Sequence, residues 1–129
     1  MEYVIIRKDG SVESHIVENN KSKDECSVMY EIEHQIGAES AELARVPQYK
    51  GVYVVYDDFY GWDKTDEDFI HDRNYVASCL TSCDEYNDVA VVRVSDECFG
   101  CDGLDSCNYV LHSITMEEVK EIINAKSYF

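Results

Sequence analysis

The spacing of apolar positions changes several times along the chain, and each change marks an element. Tyr3–Arg7 is an apolar, β-branched run; Val12–Val17 alternates apolar and polar residues. Between them Lys8-Asp9-Gly10-Ser11 carries Asp-Gly at its centre, so the two runs are predicted to form a hairpin. From Ser22 to Ile36 the apolar residues Cys26, Met29, Ile32 and Ile36 recur every three to four positions, the signature of an amphipathic helix. Ser22 with Glu25 supplies a capping box at its start, and Gly37 supplies its stop.

The second half follows the same logic. Ala41–Val46 is predicted as a short strand closed by Pro47, and Gly51–Tyr56 (Gly-Val-Tyr-Val-Val-Tyr) has the strongest strand composition of the chain. Asp57–Asp68 is predicted as an acidic loop, Asp72–Leu80 as a short helix and Val89–Val94 as a buried strand. Glu97–Asn108 has no periodicity. Thr115–Ala125 is predicted as a final helix, with Thr115 and Glu118 as a second capping box. The order ββαββαβα implies one α+β domain over residues 1–129, a mixed, mainly antiparallel sheet with helices packed on one face. No internal repeat is visible.

Composition narrows the class. A chain of 129 residues can bury a core without cross-links, and 45% hydrophobic residues exclude wholesale disorder. The apolar run at the N-terminus is too short for a signal peptide, and no stretch nears the roughly 20 apolar residues of a membrane span. A cytoplasmic location is therefore expected, with the six cysteines as thiols or metal ligands. The net charge of −16 argues against direct binding to nucleic acid or an anionic membrane and favours basic partners. The charge is concentrated: residues 57–105 hold 14 acids and three bases, so a partner contact is expected there.

The N-terminal strand, the helix ending at Ile36-Gly37, Glu42-Leu43-Ala44-Arg45-Val46, the strand running into Asp57-Asp58 and the Arg73-Asn74-Tyr75-Val76-Ala77 segment together carry a resemblance. They resemble a small domain family of unknown function carried by phages and plasmids of Gram-positive bacteria. The resemblance covers roughly residues 2–95, with Arg73-Asn74 standing where the family is expected to have Asn-Arg. It implies a mobile-element origin and no catalytic residue.

Two constellations could carry chemistry. Cys79-x3-Cys83 and Cys98-x2-Cys101 have a spacing close to the two-pair pattern of structural zinc sites, with Cys107 and His112 as spare ligands. The competing reading is packing residues and free thiols. Cys98-Phe99-Gly100-Cys101 as a redox pair is disfavoured by the acids that follow it, which would raise a thiol pKa. The second constellation is the loop 57–68. It lacks the alternation of an EF-hand, so it is read as a contact surface rather than a calcium site. Asp57, Asp58, Tyr60, Trp62, Asp63, Asp66, Glu67 and Asp68 are its candidate partner-binding residues, because Tyr and Trp anchor interfaces and carboxylates complement a basic surface.

No nucleophile elbow, phosphate loop or metalloprotease motif occurs, and His15, His34, His71 and His112 are scattered. The chain is therefore expected not to be an enzyme. The function expected is an acidic binding protein of phage or plasmid type that inhibits a basic host nucleic-acid-binding protein, such as a nuclease, by mimicking nucleic acid. The alternative is a small zinc-stabilised regulatory module.

Overall fold

The computed structural model describes residues 1–17, 25–95 and 110–126. Its elements, in chain order, are β1 (Glu2–Ile6), β2 (Val12–Ile16), α1 (Glu25–Ile36), β3 (Ala41–Arg45), β4 (Val52–Asp57), α2 (Asp66–Asp72), α3 (Tyr75–Thr81), β5 (Val89–Ser95), β6 (Val110–His112) and α4 (Met116–Lys126). The strands form one open sheet in the order β2-β1-β5-β4-β3. β5 is central: β4 flanks one side, and β1 and β6 share the other. All five pairings are antiparallel, so the expected mixed sheet is not found among the described residues.

The first hairpin forms as its sequence predicts. Asp9 Oδ1 accepts from the Ser11 amide at 2.9 Å and hydroxyl at 2.7 Å, and Gly10 takes a φ of 92° that side chains disfavour. Those two bonds hold the Asp9 carboxyl below its ordinary pKa. At the end of α1, Gly37 turns left-handed (φ 71°) and the Ala38 amide reaches back to the Glu33 carbonyl at 2.9 Å, closing the helix. The Thr115–Glu118 capping box forms with reciprocal bonds. The Ser22–Glu25 box falls outside the described residues.

Helices cover both faces of the sheet, not one. Tyr3 and Ile5 of β1 join Ala90, Val92, Met29, Ile32 and Ile36 beneath α1. Val4 and Ile6 point the other way and join Val89, Val91, Ala77, Leu80, Val119 and Ile122 beneath α3 and α4. The cause is legible in the strands themselves: Tyr3-Val4-Ile5-Ile6 and Val89-Ala90-Val91-Val92 are apolar at consecutive positions, which suits a strand buried on both sides.

The helix predicted over Asp72–Leu80 forms as α3, starting at Tyr75, and a second helix, α2, precedes it from Asp66, where the acidic loop was predicted to continue to Asp68. Thr65 caps α2 and Asn74 caps α3, and the extended Arg73 between them breaks the run. Asn74 is fully buried and donates from Nδ2 to the carbonyls of Ile6 (3.1 Å) and Asn87 (2.8 Å), while its Oδ1 accepts from the Ala77 amide at 3.0 Å. One side chain thus ties β1, the start of α3 and the approach to β5. The three-residue β6 was not anticipated, being too short to show a period. The irregular segment predicted at Glu97–Asn108 lies outside the described residues. No described helix is long and apolar enough to cross a membrane.

Candidate functional site

Strand register gathers the acids of residues 57–88 at one end of the sheet. β4 ends at Asp57 beside the start of β3 and two residues past the Val55–Ala90 pair, while Ile6 of β1 pairs with Val89. The β4–α2 loop, the first turn of α2, the α3–β5 loop and the β1–β2 turn therefore crowd together.

Within this end, the carboxylates divide by what they touch. Asp57 is half-buried, and its Oδ1 accepts from the Phe59 amide at 3.1 Å and the Ser40 amide at 3.3 Å. Asp68 closes the Thr65 capping box, accepting from the Thr65 amide at 2.9 Å, and those bonds lower its pKa. Asp72 receives the Tyr60 hydroxyl at 2.8 Å and faces Lys8 at 3.5 Å. Arg7 pairs with Asp88 at 2.9 Å and with Glu13, and Arg73 pairs with Asp84 at 2.8 Å. Asp58, Asp63, Asp66 and Glu67 are exposed, and none forms an ion pair with a described residue.

The sequence therefore grouped two kinds of residue. Asp57 and Asp68 build the loop and the helix start; Asp58, Asp63, Asp66 and Glu67 are the carboxylates presented outward. Asp66, Glu67 and Asp68 belong to the first turn of α2 rather than to a loop, which the macrodipole favours.

The aromatics divide in the same way. Tyr60 stacks on Tyr86 with ring centroids 4.9 Å apart, and Phe69 meets both edge-on at 5.8 and 5.2 Å. This trio anchors α2, none of whose residues is fully buried, to the β4–α2 and α3–β5 loops. Burial first, and the bond to Asp72 second, raise the Tyr60 phenol pKa. Trp62 stands apart at 86% exposed, and Phe59 is 51% exposed. Both line a cleft of about 660 Å3 with Tyr60, Asp57, Asp63 and Glu39. Lys64 also lines it, its ammonium 5.6 Å from the Tyr60 ring centroid, so the cleft already attracts a cation of its own chain.

Sequence reasoning passed over Phe69, Tyr86 and Glu39. Phe69 lay just past the presumed loop and Tyr86 in an unassigned stretch, and only the fold brings them to Tyr60.

Of the two cysteine pairs, the first lies among the described residues. Cys79 on α3 and Cys83, just past the left-handed Ser82 that ends α3, are free and exposed. Cys98 and Cys101 lie outside the described residues, as does Cys107. Among the described residues no group of three or more His, Cys, Asp or Glu is arranged to hold a metal ion. His112 lies on β6 and His15 stacks on Tyr3 at 5.6 Å. No family model, curated protein or solved structure matches the chain significantly.

Proposed function

We propose that the protein is a binding protein of phage or plasmid type, without catalysis, that inhibits a basic host protein by occupying its nucleic-acid site. A host nuclease that attacks incoming DNA is a partner of this kind. The observation that supports the reading is the gathering of outward carboxylates at one end of the sheet beside the exposed Trp62 and Phe59. A groove built for phosphates accepts a fixed array of carboxylates, and complementary fields speed association. Exposed aromatic rings offer the flat apolar surfaces that bases otherwise present. The same excess charge repels nucleic acid and anionic membrane, so the partner is a protein. A zinc-stabilised module would need Cys98 and Cys101 beside Cys79 and Cys83, and Cys98 and Cys101 lie outside the described residues.

The test is capture of host proteins on the immobilised chain over a salt series. A basic nucleic-acid-binding protein should be retained at low salt, released between about 0.1 and 0.5 M salt, and displaced by a short DNA duplex. Retention that ignores both salt and DNA would refute the proposal.

A further inference from the structure

The acidic end contains a second, smaller pocket whose chemistry is more specific than its charge. It measures about 240 Å3 and lies on the α3–α4 face of the sheet edge, between Ala44 and Tyr56 on the strands and Cys83–Tyr86 in the α3–β5 loop, with Asp57 alongside. Glu85 is 5% exposed, the one buried acid of the described residues. The loop places it there: the Glu85 amide donates to Ser78 Oγ at 2.9 Å, and its carbonyl accepts from the Asn74 amide at 2.8 Å. Its side chain has one described partner, the Thr81 hydroxyl, 3.0 Å from Oε1. No described group donates to Oε2, and no described base pairs with the carboxylate.

A buried carboxylate is costly unless it is paired, and here no described residue supplies a counter-ion. The surroundings deepen the deficit. Arg73 reaches this loop but is committed to Asp84, whose side chain is 60% exposed, and its Nε is buried without a partner. Burial raises the Glu85 pKa, Thr81 lowers it and Asp84 raises it further. Tyr56 is likewise pushed up, first by burial and then by Asp58, Glu85 and Glu42. The pocket is therefore negative, lined by tyrosine and alanine, and open to a thiol at Cys83. No set of ligands suits a metal ion among the described residues.

An arginine side chain meets each of these demands. Its guanidinium is weakly hydrated, always charged and forked, so it can donate to the free Oε2 while its methylene stem lies along the tyrosines and Ala44. We propose that this pocket is a receptor for one arginine side chain of the partner, with Glu85 as its counter-ion. The biological meaning rests on the basic-partner reading above, but the pocket can be tested without any partner.

The experiment is an amide NMR titration with N-acetyl-arginine amide, with the neutral citrulline counterpart as control. Saturable shifts are expected at Tyr56 and Cys83–Tyr86 with arginine and not with citrulline. Glu85→Gln keeps an acceptor for Thr81 and should weaken binding at least about tenfold. Ala44→Leu, which fills the pocket and leaves every charge in place, should do the same and decides the matter if Glu85→Gln does not fold. Asp63→Lys with Glu67→Lys should change it by less than about threefold, because those exposed charges are screened by solvent. Equal binding of citrulline, absence of saturable shifts, or shifts spread over the acidic end and lost equally in all variants would overturn the proposal. Arginine binding without salt-sensitive host capture would leave the pocket standing and remove the inhibitor reading; the reverse result would remove the pocket alone.

Discussion

β5 and α2 show two different ways of holding a segment in place. β5 is held by apolar burial on both faces and by hydrogen-bonded neighbours on both edges; Val89, Ala90, Val91 and Val92 are all buried. α2 has no fully buried residue and is attached by the Tyr60–Phe69–Tyr86 stack, the Thr65–Asp68 cap and the Tyr60–Asp72 hydrogen bond. The first region makes the fold; the second is mounted on it. Because α2 and its loop contribute little to the core, their surface is free to vary in charge without costing the scaffold, and that is where the outward carboxylates and Trp62 stand.

The contrast predicts a gradient of effects. Ile32 of α1 is fully buried against β5's side of the sheet, and Ile32→Ala should cost about 2–5 kcal/mol by denaturant unfolding. Asn74→Ala should cost about 2–4 kcal/mol, because it removes the α3 cap and leaves the Ile6 and Asn87 carbonyls without their donor. A loss near zero would mean that the junction between the two regions is held by something else.

Glu85 sharpens the comparison through pH. Its folded-state pKa lies above the ordinary 4.5, so the folded chain holds this proton more tightly than the unfolded chain. That contribution is fully present below about 4.5 and is lost as pH rises through the folded-state value. Wild type should therefore lose stability relative to Glu85→Gln as pH rises from 4.5 toward neutrality, read as the difference in Tm between the two proteins. A constant difference would contradict the burial argument.

The mounted region should respond weakly. Tyr60→Phe removes one hydrogen bond to Asp72 and keeps the stack, so a loss of about 1 kcal/mol is expected. Trp62→Ala should leave stability within about 0.5 kcal/mol and weaken partner binding by about 1–3 kcal/mol.

The scaffold was legible because burial writes itself into spacing. The Asp9-Gly10 turn, Ile32 and Ile36 on one helix face, Gly37, the Thr115 cap and the β5 run all carried local signals that the fold respects. Two-sided packing was also written, in the four consecutive apolar residues of β1, but an antiparallel α+β pattern was read as one-sided. α2 was not legible, because its first turn, Asp66–Asp68, reads as part of an acidic loop and none of its residues is fully buried, while the start of α3 is set by Asn74 reaching Ile6 and Asn87 outside its own helix. At the site, composition picked out the acidic-aromatic stretch, but it could not separate Asp57 and Asp68, which build the loop, from Asp63, Asp66 and Glu67, which face outward. Glu85 left no signal at all: a glutamate in Ser-Cys-Asp-Glu-Tyr reads as exposed until Thr81 and Ser78 are folded around it.

The most direct test reverses the outward charges and spares the structural ones. In Asp63→Lys/Asp66→Lys/Glu67→Lys, Asp57 and Asp68 keep their bonds to Ser40, Phe59 and Thr65, so the fold should persist with only the small cost of placing lysines in the first turn of α2. Binding to the salt-released host protein should fall at least about a hundredfold at 0.1 M salt, and the wild-type dependence on salt should flatten. A folded triple variant that binds the same protein with unchanged affinity and salt dependence would contradict the account.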